Sequence, residues 1–142
     1  MSDKAFADSN VLIYAIESEG ANVGKATVAR EMIERVRPIL STQVLGEFYN
    51  VVTGKRRTDP LSSEEASRWI AKWMRLKVES VTPDHVNLAL EICHRYQVSY
   101  YDALILAAAR LAACTVVYSE DLNDGQDYGG VKVINPFAGL AS

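Results

Sequence analysis

The chain has 142 residues and a mass of 15.7 kDa, which at roughly 100 to 200 residues per domain predicts one domain and excludes two. A net charge of −3 and a pI near 5.4 argue against a uniformly basic nucleic-acid binder. Cys93, Cys114, His85 and His94 form neither a C-x-x-C pair nor an H-E-x-x-H run, which argues against zinc and thiol chemistry, and no signal sequence or membrane-length apolar run is readable, so the expected setting is a reducing cytoplasm without a membrane partner.

In chain order, the first predicted strand is Lys4 to Ala7, followed at once by Asp8-Ser9-Asn10 as a helix cap and Val11 to Ile16 as a short helix. Val28, Ala29, Met32, Ile33 and Val36 recur at helical spacing until Pro38 stops the run. Ile39-Leu40-Ser41 reads as a second strand. Thr42 is the expected cap of a helix through Val52 that contains Glu47 and ends at Gly54. Ser62-x-x-Glu65 is a capping box, and Trp69, Ile70, Trp73 and Met74 form the apolar face of the helix it starts; Arg68, Lys72 and Arg75 share another face. Val78 to Val81 is a third strand. Thr82-Pro83-Asp84 opens a helix to about Arg95, with His85 expected at its surface, and Ser99 caps the next. The stretch from Ala103 to Ala109 is apolar all round, as a buried helix requires. Thr115 to Tyr118 and Val131 to Ile134 complete five strands.

Strands alternating with helices predict right-handed crossovers, a mainly parallel sheet and helices on both faces. Ligands of such sheets bind beyond the carboxyl ends of the strands, where strand order reverses. Asp8 and Asp121 stand at strand ends, while Asp102 at a helix start and Glu47 on the second strand's helix can face the same place.

These residues resemble a known family. Phe6-Ala7-Asp8-Ser9-Asn10-Val11-Leu12, Glu47 within Thr42-Gln43-Val44-Leu45-Gly46-Glu47-Phe48, Tyr101-Asp102-Ala103-Leu104-Ile105 and Ser119-Glu120-Asp121-Leu122 look like the four acidic blocks of PIN-domain ribonucleases, in particular the VapC toxins of bacterial toxin–antitoxin pairs. The resemblance implies a three-layer α/β/α sandwich over residues 1–142 and metal-dependent endoribonuclease activity. It carries the catalytic carboxylates to Asp8, Glu47, Asp102 and Asp121, with Asp8, Asp102 and Asp121 as metal ligands and Asn10 and Ser119 as their polar neighbours. Many members carry a further acid two residues after the fourth block's aspartate; here that position is Asn123, and the next acid is Asp124. The implied partners are an RNA substrate, a second copy of the chain and a cognate antitoxin.

Chemistry supports the same assignment. Carboxylates converging without a counter-charge repel one another, and oxygen-only donors suit Mg²⁺ or Mn²⁺, which acidify a water and neutralise charge on a phosphodiester. The pI is reconciled too: without those four acids, 15 basic residues face 14 acidic ones. Residues 54–78 carry seven basic against three acidic side chains, so Lys55, Arg56 and Arg57 are candidates for RNA phosphates.

Taken one at a time, these features have plainer readings: a helix cap for Asp8, a first-turn acid for Asp102, a loop acid for Asp121, a solvated loop for Lys55 to Arg57. The rival functions are a non-cutting PIN-like interaction module and a phosphoacceptor receiver domain, which lacks its usual lysine after the fourth strand. The large apolar side chains of residues 48–52 and 69–74 exceed what a small domain readily buries, which predicts a protein–protein surface.

Overall fold

Residues 4–18 and 20–140 are described by a computed structural model. Five short strands, β1 (Ala5–Ala7), β2 (Leu40–Ser41), β3 (Val78–Glu79), β4 (Val116–Tyr118) and β5 (Lys132–Ile134), alternate with six helices. The helices are α1 (Ser9–Ala15), α2 (Val23–Val36), α3 (Thr42–Val52), α4 (Ser63–Trp73), α5 (Pro83–Tyr96) and α6 (Tyr100–Leu111). Most strands are a residue or two shorter than predicted, although Lys4 still accepts the amide of Thr115 at 3.0 Å.

All ladders between named strands are parallel. β1 pairs with β4, Ala7 opposite Tyr118; β4 pairs with β5, and β2 with β3. A bridge between Phe6 and Ile39, with Ala7 N donating to Ile39 O at 3.1 Å and Ile39 N to Ala5 O at 2.8 Å, joins the two ladders into one order, β3-β2-β1-β4-β5. The chain moves outward from β1 to β3 and then returns across the sheet to β4. With right-handed crossovers, α1 to α4 lie on one face and α5 and α6 on the other. The packing agrees: α1 touches α2 and α3, α3 touches α4, and α5 packs along α6.

The core follows from side-chain size. Phe6, Leu12, Leu40, Phe48, Ile92, Ile105, Leu106 and Val117 are fully buried, and every residue from Ala103 to Ala109 is buried, its alanines letting α6 lie close to the sheet. Both caps with large sequence signals form: Ser62 and Glu65 satisfy each other's backbone amides at 3.1 and 3.0 Å, and Ser99 Oγ accepts from Asp102 N at 3.2 Å. Arg37, just before Pro38, takes a left-handed conformation (φ 51°) that ends α2, since proline disfavours the helical region for its predecessor.

Three expectations need correction. Ser41, not Thr42, caps α3 by accepting from Val44 N at 3.3 Å; Thr42 Oγ1 instead accepts Val81 N at 3.2 Å and ties β3's end to α3. His85 is buried, not at the surface, because its Nδ1 turns back to the Thr82 amide at 3.2 Å and closes the cap of α5. The apolar face of α4 is divided: Trp73 is 3% exposed and meets Phe48 edge-on at 5.9 Å, Trp69 stacks on Trp73 at 5.5 Å half in solvent, and Met74 is exposed. On α3, Phe48 and Val52 are buried while Tyr49 and Val51 face out.

Candidate active site

Strand order reverses between β1 and β4, so the crevice beyond their carboxyl ends is where a ligand site belongs in this architecture. Asp8 follows β1 directly, its amide donating to Tyr118 O at 3.0 Å and extending the ladder by one bond. The side chain is 4% exposed. Oδ1 accepts the Ser9 amide at 2.7 Å and Oδ2 accepts the Ser119 hydroxyl at 2.8 Å. Burial raises the Asp8 pKa to about 6; these hydrogen bonds oppose the rise, and the charges of Glu47 and Asp121 add to it.

Ser119 is the hub between the two strand ends. Besides donating to Asp8, its oxygen accepts the Asp121 amide at 3.1 Å and lies 3.4 Å from Asn10 Nδ2. Asn10, on the first turn of α1, donates to Asp121 Oδ2 at 3.2 Å and accepts the Glu120 amide at 3.2 Å. One turn of helix thus fixes both the carboxylate and the backbone of the segment after β4.

Glu47 reaches the same place from α3. Burial pushes its pKa up, hydrogen bonds from Gln43 and Ser9 oppose this, and Asp102 and Asp121 add repulsion. Asp102 is half-buried on the first turn of α6. Gln43 was not singled out by sequence, yet it stands one turn before Glu47, the spacing at which helical side chains meet. Its Nε2 donates to Glu47 Oε2 at 3.2 Å and to Tyr101 O at 3.1 Å, fastening α3 to the start of α6.

Asp8 is therefore repelled by Glu47 and Asp121, and Glu47 by Asp102 and Asp121, so Glu47 links the four acids, and the leading influences on Asp8 and Glu47 include no cationic side chain. Asp124 is elsewhere: its Oδ1 accepts the Asn135 amide at 2.8 Å beyond β5. Lys55 and Arg56 are exposed after α3, whereas Arg57 is bonded to Glu17 at 3.3 Å and to Asp59 O. Lys72 and Arg75 do not approach the acids either; with Arg30 and Arg37 they rim a cleft of about 460 Å³ between α2 and α4, floored by Ile33, Trp69, Trp73 and Leu76.

Among the described residues no three carboxylate, imidazole or thiol groups stand at the spacing of ligands to one ion. The donor set nevertheless fits a hard divalent cation. It consists of carboxylates and amide oxygens without an opposing charge, and Gln43 Oε1 is buried there with no hydrogen-bond partner.

Fold and site define a parallel α/β protein with a cluster of acids at the switch point of its sheet. The PIN domain family model matches residues 5–123, a span that includes all four acids, and the chain belongs to that family. This sets aside the phosphoacceptor reading. None of the curated proteins matches significantly. Solved structures share the fold. A toxin–antitoxin complex from Klebsiella pneumoniae superposes with a TM-score of 0.69 at 18% identity, covering 94% of this chain and 98% of the other. Mycobacterium tuberculosis VapC20, described as a sarcin–ricin-loop-cleaving toxin, gives 0.65 at 23% identity over 83% and 90%. DNA-bound VapBC from Salmonella typhimurium gives 0.65 at 18% identity over 93% and 97%.

Proposed function

We propose that this PIN-domain protein is a divalent-metal-dependent endoribonuclease and the toxin of a toxin–antitoxin pair. The observation that carries the nuclease reading is Asp8: a carboxylate 4% exposed, beside Glu47 and Asp121, with its pKa raised to about 6. A buried charge without a counter-ion is costly to the fold, and a site that maintains one is suited to a cation brought from solution. Asp8, Asp102 and Asp121, with Glu47, would hold Mg²⁺ or Mn²⁺. When bound, such an ion neutralises charge on the scissile phosphate and makes a water more acidic. Ser119 and Asn10 keep the Asp8 and Asp121 oxygens oriented, Gln43 holds Glu47, and Lys55 and Arg56 are available to phosphates flanking the cut.

The same proposal includes a homodimer and a cognate antitoxin, in a cytoplasmic setting. The cleft between α2 and α4 is the surface assigned to the antitoxin. It combines aromatic side chains with a basic rim, the kind of residues that anchor protein partners. Support for a protein partner also comes from the toxin–antitoxin assemblies that share the fold. Among the described residues no helix is long and apolar enough to cross a membrane.

The test is incubation of the purified chain with total RNA and Mg²⁺ or Mn²⁺, with mapping of the ends against an Asp8→Asn control. Metal-dependent cuts absent from the control are expected. Intact RNA under every metal condition would leave the non-cutting interaction module as the better reading.

A further inference from the structure

The segment after β4 carries a fifth acid that the site does not use. Glu120 lies between Ser119 and Asp121, yet its side chain points away from the cluster. Tyr14 OH donates to Oε1 at 2.6 Å, and Lys25 Nζ lies 2.5 Å from Oε2 and 3.3 Å from the Tyr14 hydroxyl. Lys25 also sits 4.7 Å from the Tyr14 ring centroid and 5.8 Å from that of Phe137, and Phe137 meets Tyr14 edge-on at 4.8 Å. The ion pair is three-quarters removed from solvent, its side chains 25% and 26% exposed, which sets it apart from a freely exposed surface pair.

The arrangement has a geometric consequence. Asn10 and Tyr14 are one helical turn apart on α1, so the same face of α1 grips residue 120 at both ends, Asn10 at the amide and Tyr14 at the carboxylate. Lys25, near the start of α2, closes the grip from the other side. With its amide and side chain both held, residue 120 has little freedom to rotate, which restrains the backbone that carries Ser119 and Asp121.

We infer that Lys25, Tyr14 and Glu120 form a positioning clamp that keeps the Glu120 carboxylate out of the acidic cluster and aims Asp121 into it. The clamp rests on reading the cluster as the active site. Neither Lys25 nor Tyr14 touches the four acids; they act through Glu120. If Lys25 is lost, Glu120 becomes an unpaired carboxylate next to four others, with only the Tyr14 hydroxyl to restrain it.

The test uses the full chain with Lys25→Met, Lys25→Arg, Tyr14→Phe and Lys25→Met combined with Glu120→Gln. Three quantities are read: the Asn10 side-chain amide signal by NMR in metal-free protein, the Mn²⁺ dissociation constant by titration, and kcat and KM for RNA cleavage. Lys25→Met is expected to displace the Asn10 signal, weaken Mn²⁺ binding about tenfold and lower kcat by about 10- to 100-fold, as loss of groups that orient metal ligands does, with KM within twofold. Lys25→Arg restores most of the loss, and Tyr14→Phe gives a smaller change in the same direction. In the Glu120→Gln background the effect of Lys25→Met should largely vanish, because the charge it unpairs is gone. A Lys25→Met protein with a lower melting temperature but unchanged Asn10 signal, Mn²⁺ affinity and kcat overturns the clamp, as does an undiminished Lys25→Met effect in that background. The Asn10 signal needs neither metal nor RNA. A failure of the nuclease reading, seen as intact RNA under every metal condition or as full cleavage by Asp8→Asn, is therefore distinguishable from failure of the clamp.

Discussion

The acidic crevice beyond β1 and β4 and the basic cleft between α2 and α4 hold opposite charges by opposite means. The crevice draws Asp8, Glu47, Asp102 and Asp121 from four distant segments, holds Asp8, Asp121 and Glu47 through Ser119, Asn10 and Gln43, and puts no cationic side chain among the leading influences on Asp8 or Glu47. The cleft is made by two helices whose long cationic side chains rim an aromatic floor and stay largely in water, as Lys72 does over the Trp69 ring at 5.0 Å. Acids gathered around the buried Asp8 and held by hydrogen bonds suit chemistry; solvated charge around an apolar floor suits docking. Changes in one region should therefore alter cleavage and metal response, and changes in the other should alter partner retention.

The largest effect is expected at the crevice. Asp8→Asn or Asp102→Asn should lower RNA cleavage at least about 100-fold, the size of several kcal/mol of transition-state charge stabilisation, while far-UV circular dichroism stays parental. Near-parental cleavage would remove that residue from the mechanism. Next in size is Trp73→Ala, which should cost about 3 to 5 kcal/mol in denaturant unfolding because it empties a core position, whereas Trp69→Ser should spare stability and cleavage but release a co-expressed partner in sedimentation.

The metal-free crevice should also announce itself in pH. The folded-state pKa of Asp8 is raised from 3.8 to about 6, so the folded protein binds more protons than the unfolded chain in that window and stability falls as pH rises through it. The loss approaches on the order of 3 kcal/mol by pH 7. Asp8→Asn should flatten the profile between pH 4 and 6 and be more stable than the parent at neutral pH without metal. Saturating Mn²⁺ at ~100 times its Kd should restore about 2.7 kcal/mol to the parent, reversibly with EDTA. Melting curves taken across this pH range, with and without Mn²⁺, check both statements.

The smallest effect belongs to the basic loop. Lys55→Ala and Arg56→Ala should each flatten the salt dependence of single-strand RNA binding by ~0.7 in log–log slope if they meet phosphates. Arg57→Ala should leave the slope alone, since its guanidinium is held by Glu17. Equal slopes for all three variants would dissolve that distinction.

What was legible in the sequence was local. Caps, breakers and apolar periodicity located the strands and helices because each depends on neighbours within one turn. Asp8 and Asp121 were placed by the rule that ligands meet parallel sheets at strand ends. What was not legible depends on partners far along the chain. The burial of His85 follows from a ring nitrogen folding back on Thr82, Arg57 is claimed by Glu17, and Asp124 is claimed by Asn135. The division of the α4 face between core and cleft is set by where α2 and Phe48 lie, which periodicity within α4 does not contain. Gln43 was within reach of a local argument, one turn ahead of an acid, although its second bond to Tyr101 was not.

The pairing of β1 with β4 has a consequence in time. Asp8 and the Ser119 hydroxyl that holds it are separated by 111 positions, which a ribosome adding about 5 to 20 residues per second covers in roughly 6 to 20 seconds. Throughout that interval β1 lacks its β4 neighbour, and the acids already synthesised have neither Ser119 nor Asp121 beside them. The crevice is consequently among the last features to form during translation, and a nascent chain interrupted before β4 emerges carries two or three of the acids but no assembled site.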